Sequence, residues 1–155
     1  MTAVFSPDGL YRYTLTREVD AFASKTMVAF GLLNPSTADE YNNDPTVRRL
    51  LRFARRWGYG SIALFNLFAF RATDPRQLRR VADPIGPEND SYIRTLASAC
   101  DLIVVGWGNH GSYLGRGGEV LRLLEGKQVY CFGKTRSGQP KHPLYLPKSQ
   151  TLMAL

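Results

Sequence analysis

The chain has few cysteines, no long apolar run and no clustered metal ligands, and each shortage removes a class of protein. Two cysteines in 155 residues, Cys100 and Cys131, lie in or beside apolar segments. They lack the close Cys/His spacing that zinc or iron–sulfur sites use, so both read as reduced core residues. No apolar stretch approaches the roughly 20 residues that cross a bilayer, and the first residues lack the basic-then-apolar order of a secretory leader. A cytoplasmic protein without a membrane partner is expected. His110 and His142 each stand without a second ligand nearby, and no Gly-x-Ser-x-Gly elbow or phosphate-loop Gly-Lys-Ser/Thr occurs. No metal and no cofactor is therefore expected, and nucleophilic Ser or Cys catalysis finds no support.

What remains is the composition of one folded domain, 1–155, with 44% hydrophobic residues. Lys and Arg outnumber Asp and Glu by 20 to 13, a formal charge of +7, which favours an anionic partner. Apolar runs at Met27–Leu33, Ser61–Leu67, Asp101–Trp107 and Gln128–Phe132 suit strands buried on both faces of a parallel sheet. Helical spacing at Pro45–Trp57, Glu88–Ala99 and Gly118–Leu124 alternates with them. The expectation is an α/β fold, a three-layer α/β/α arrangement around a mostly parallel four-stranded central sheet. Leu10–Leu15 alternates like a half-exposed edge strand, and Arg71–Glu88 is an irregular stretch with a short helix at Arg76–Val81.

Three segments set a residue able to hydrogen-bond at one end of an apolar run: Gly31-Leu32-Leu33-Asn34-Pro35-Ser36, Phe65-Asn66-Leu67-Phe68, and His142-Pro143-Leu144-Tyr145-Leu146. Strand ends of an open α/β sheet converge on one crevice, so these distant residues can meet. A carboxamide carries donors and an acceptor together, matching a nucleobase edge, while its ordinary alternative is local capping. Pro140 and Pro143 stiffen the chain around His142, which helps aim a side chain. In Pro45–Trp57 the residues Arg48, Arg52, Arg55 and Arg56 oppose the apolar face, as a solvated surface or a phosphate-binding one. Gly106-Trp107-Gly108-Asn109-His110-Gly111 imitates a dinucleotide fingerprint, but the glycines run on through Gly118 and the next strand ends in Gly133-Lys134 rather than an acid.

These segments, in this order, resemble the uracil-DNA glycosylase superfamily. Gly31-Leu32-Leu33-Asn34-Pro35 looks like its first motif, Gly58–Asn66 like the strand whose last Asn reads a pyrimidine, Leu102–Gly108 like its apolar strand ending in Trp-Gly, and His142–Leu146 like its final motif. The chain also resembles a bacterial and phage family, domain-of-unknown-function family 1643. That resemblance runs through Asn34–Asp39, Asp44-Pro45-Thr46, Asn66–Ala69, Arg71–Pro75, Lys134-Thr135 and His142–Tyr145.

The glycosylase resemblance implies a uracil-DNA glycosylase-like fold and hydrolysis of the N-glycosidic bond of a base flipped out of DNA. In it Asn34 positions the attacking water, Asn66 reads the base, His142 steadies the departing base and Leu146 fills the gap in the duplex. Ser36 stands where classical uracil enzymes carry a thymine-excluding Tyr, and Leu144 replaces a phosphate-gripping Ser. Tyr41 and Phe68 are the candidates for a stacking platform. Asn34 can orient water but has no useful basicity, so Asp39 and Asp44 are the nearest candidate carboxylates, Asp44 being also a natural helix cap ahead of Pro45. Arg48, Arg52, Arg71 and Lys134 are the nucleic-acid-binding candidates, DNA before RNA. The alternatives are a non-catalytic nucleic-acid or nucleotide-binding protein, or a hydrolase or transferase acting on free nucleotides or nucleosides.

Overall fold

The computed structural model describes residues 2–23 and 25–155. Its strands are β1 (Thr2–Phe5), β2 (Arg12–Glu18), β3 (Lys25–Leu32), β4 (Tyr59–Asn66), β5 (Leu102–Val105), β6 (Val129–Cys131) and β7 (Met153–Ala154). They form one sheet in the order β1-β2-β4-β3-β5-β6-β7. Neighbours among β4, β3, β5 and β6 run parallel, whereas the pairs β1/β2, β2/β4 and β6/β7 are antiparallel.

The α/β class holds, but the expected mostly parallel four-stranded sheet is corrected to a mixed sheet of seven strands with antiparallel edges. The added strands escape sequence reading because β1 and β7 are only 4 and 2 residues long, too short to display a period. The second correction concerns β2, read as a half-exposed edge. It lies between β1 and β4, and Arg12, Tyr13, Thr14, Leu15 and Arg17 are all buried.

Helices cover both faces. On one lies α1 (Pro45–Arg56), which buries Val47, Leu50, Phe53 and Ala54 against Val28, Phe30, Ile62 and Leu64. Asp44 caps it by accepting a hydrogen bond from the Val47 amide at 2.8 Å, and Pro45 takes the first helical position, where no amide is needed. On the other face lie α2 (Asn89–Ala99) and α3 (Arg116–Leu123), with Ile93, Leu96, Ala97 and Val120 packed on Ala29, Phe65, Ile103 and Val105. Each large apolar side chain so buried contributes about 1.5–3 kcal/mol. That double cover explains why the central strands read as continuous apolar runs. Cys131 is fully buried and Cys100 partly so, burial pushing the Cys100 thiol up to about 12. Among the described residues, no helix is long and apolar enough to cross a membrane.

Candidate functional site

The parallel strands point their carboxyl ends at one cavity of about 490 Å³. Asn34, Ser36 and Thr37 line it from the loop after β3, Asn66 from the last residue of β4, Trp107 to His110 from the loop after β5, and His142, Leu144 and Tyr145 from the last long loop. Asp44 and Thr46 reach it from the start of α1, and Arg12 from the start of β2. Thr73 and Pro75 belong to the wall as well, just ahead of and within a short 3-10 helix, Pro75–Arg80.

The glycines after β5 bring His142 over the strand ends. A Cβ on Gly106 would stand 2.8 Å from the Lys141 carbonyl oxygen, and one on Gly111 would overlap the Trp107 ring at 2.0 Å. The Gly108 amide also donates to the Pro140 carbonyl at 2.8 Å. The glycine pattern that imitates a dinucleotide fingerprint therefore serves close packing. Trp107 is held by a hydrogen bond from its indole nitrogen to Gln139 Oε1 at 2.9 Å, and with Leu32, Leu33 and Leu64 it gives the cavity apolar walls.

Asn66 is 1% exposed, and neither Oδ1 nor Nδ2 has a partner among the described residues. Its backbone carbonyl is held at 2.9 Å by Asn89 Nδ2, so the main chain is fixed while the amide is not. Leaving a buried donor or acceptor unmatched costs about 1–3 kcal/mol, and this residue carries one of each. Asn34 differs. Its Nδ2 donates to the carbonyls of Pro35 and Ala72 at 3.0 and 2.7 Å, which ties two walls together and leaves only Oδ1 for another task.

His142 accepts a hydrogen bond from the Leu144 amide at Nδ1, 3.2 Å away, so its proton sits on Nε2. Burial lowers its pKa and the Asp44 charge partly opposes that shift, favouring the neutral imidazole, a hydrogen-bond donor at Nε2. Asp44 spends Oδ1 on its helix cap, and Oδ2 makes no hydrogen bond among the described residues. Among the described residues, no other carboxylate lines the cavity.

Several sequence candidates lie elsewhere. Asp39 is absent from the wall and staples its own loop, accepting from the amides of Tyr41 and Asn42 at 2.9 and 2.8 Å, bonds that lower its pKa. Tyr41 is 80% exposed and off the wall, and Phe68 is wholly buried against Tyr113, ring centres 5.7 Å apart. The wall's aromatic residues are Trp107 and Tyr145. Leu146 packs partly buried beside the α1 core. Arg71 lies over the Phe5 ring and donates to the Gly9 carbonyl at 3.1 Å, Lys134 is exposed, and Arg48 and Arg52 stand on the solvent side of α1. Arg12, by contrast, lines the cavity and carries no sequence signal, since its alternating strand marks it as solvent-facing. Among the described residues no group of three or more His, Cys, Asp or Glu could hold a metal ion.

No curated protein and no solved structure matches the chain. A family model described as "Protein of unknown function (DUF1643)" matches residues 12–144, a span that holds every wall residue named above except Tyr145.

Proposed function

The chain belongs to the DUF1643 family, and from the chemistry of its cavity we propose that it is a nucleobase-recognising enzyme that hydrolyses the N-glycosidic bond of a base flipped out of DNA. The observation that carries this reading is the Asn66 amide, buried with both its donor and its acceptor unmatched on the wall of a cavity large enough for a nucleoside. A nucleobase edge offers the complementary pair, and meeting both atoms would return the cost of burying them. Because those atoms are closed to water, the walls at 34–37 or 72–75 shift slightly as the base seats.

The other residues supply the remaining steps. When the bond between C1′ and the ring nitrogen breaks, its electron pair passes to the base, and the Nε2–H of neutral His142 donates to a base oxygen as charge grows there. The water oxygen bonds to C1′, and the free oxygen of Asp44 accepts one of its protons, which ends on the released base. Asn34 Oδ1 accepts from the same water and aims it. Outside the cavity, the exposed Arg48, Arg52 and Arg55 of α1 suit a phosphate backbone, and on its wall the 92% exposed Tyr145 suits an unstacked base.

Incubation with single- and double-stranded DNA carrying uracil, hypoxanthine or a mismatch, followed by alkaline cleavage at abasic sites, tests the reading. Strand breaks with the wild type that vanish in Asn66→Ala are expected. DNA binding without base release from any of these substrates would replace the hydrolase with a non-catalytic binding protein.

A further inference from the structure

Among the described residues, the buried charged side chains are Arg12, Arg17 and Arg116, and two of them are fully employed. Arg17 donates to Asn43 Oδ1 at 2.8 Å and to the carbonyls of Thr16, Asp39 and Asn42, which pins the 39–43 loop to β2. Arg116 pairs with Asp90 at 2.6 Å and with Glu119, and donates to the Leu67 carbonyl at 2.8 Å. Arg12 makes one hydrogen bond, from Nη1 to the Ala38 carbonyl at 2.7 Å; its Nε is buried without a partner, and it has no ion pair among the described residues. It is 2% exposed and lies on the cavity wall, on the strand next to that of Asn66.

Removing a cation from water without a counter-ion costs several kcal/mol. Burial brings Arg12 down to about 10, so it keeps its proton at neutral pH. The carboxylates whose fields favour that charge, Asp44 and Asp39, are opposed by Arg71 and Arg17. A structural clamp on Ala38 needs only one donor. An unmatched cation and an unmatched amide on the wall of one cavity, from neighbouring strands, make the arrangement of a receptor awaiting an anion.

Resting on the reading of the cavity as a nucleobase site, we propose that Arg12 and Asn66 form an anion subsite whose occupant is a planar heterocycle that is negatively charged, or becomes so as it departs. In glycosidic hydrolysis the base leaves with the bonding electron pair, and its charge spreads over ring nitrogen and carbonyl oxygens. Arg12 keeps its proton throughout and acts by its field and its hydrogen bonds, which are strong because its side chain is shielded from water.

Barbiturate and uracil share a six-membered ring, but only barbiturate is an anion at neutral pH, so calorimetric titration of the full chain with each, and with inorganic phosphate, isolates the charge. Barbiturate is expected to bind wild type at least about tenfold more tightly than uracil, with that preference lost in Arg12→Gln and kept in part by Arg12→Lys, which retains the charge if the Gln variant misfolds. Equal affinities in the wild type, no binding of either ring, a preference that survives Arg12→Gln, or an Arg12-dependent response to phosphate alone would overturn the proposal. Its fate is separable from that of the hydrolase reading. An Arg12-dependent barbiturate preference without base release would leave the subsite standing and remove the hydrolysis. Base release with kcat unchanged in Arg12→Gln would do the reverse.

Discussion

Replacing Asn66 by Leu should make the free protein more stable while abolishing its recognition of a base. The two side chains have equal numbers of heavy atoms, both branched at Cγ, and Asn66 contributes no side-chain hydrogen bond among the described residues, so the change removes two unmatched buried polar atoms and no contact that holds the fold. Each such atom costs about 1–3 kcal/mol. The greater bulk of Leu, whose Cγ is tetrahedral rather than planar, returns part of the gain, because overpacking a site costs about 1–3 kcal/mol, although the adjoining cavity gives it room. The net expectation is a gain of about 1–3 kcal/mol, which for a chain of this size raises Tm by about 2–12 °C. Thermal unfolding followed by circular dichroism measures this directly and requires no substrate. In the base-release assay the same variant should lose at least about a hundredfold in kcat/KM, since a site built to hydrogen-bond its substrate pays heavily for losing both bonds. If Asn66→Leu and Asn66→Ala both lower Tm by more than about 3 °C, the amide braces the fold and does not wait unmatched for a base.

Asp44 has two oxygens with separate duties, and two variants part them. Asp44→Asn keeps an acceptor for the Val47 amide and should hold Tm within about 2 °C while base release disappears, whereas Asp44→Ala should in addition lose about 1 kcal/mol of stability from the helix cap. For His142, burial depresses the folded-state pKa, so the unfolded chain takes up the proton first as the pH falls. The stability it contributes is complete above the unfolded value near 6.5 and is lost as pH drops from there through the folded pKa. Denaturant melts between pH 7.5 and about 5 should show this loss, and His142→Asn, whose Oδ1 can still accept from Leu144, should flatten that part of the profile. If the outer face of α1 carries DNA, Arg52→Glu should weaken binding and reduce the slope of log affinity against log salt in fluorescence anisotropy; an unchanged slope would move the contact elsewhere.

Patterns confined to one segment carried most of the architecture in the sequence. The buried strands declared themselves as apolar runs because helices cover both faces of the sheet, and α1 as an apolar stripe opened by Asp44 and Pro45. The convergence of Asn34 and Asn66 on one cavity was legible for the same reason, since each follows an apolar run whose end the sheet directs to a common edge, whereas His142 follows a polar loop and is brought there by close packing on Gly106 and Gly108. What the chain could not declare locally was the fate of each polar group once folded. Asn34 and Asn66 look alike in sequence, yet one amide is tied to the Ala72 carbonyl and the other is left unmatched. Asp39 and Asp44 stand five positions apart, and only the second reaches the cavity, because the first turns back on the amides of its own loop. Arg12 sits in an alternating strand that reads as exposed, and it is buried because its side chain lies on the cavity wall under the loop after β3, where the Ala38 carbonyl accepts from Nη1. Burial and hydrogen-bond pairing are set by which distant segments meet, so tertiary structure alone decided which of these polar groups brace the fold and which face the cavity with bonds still to make.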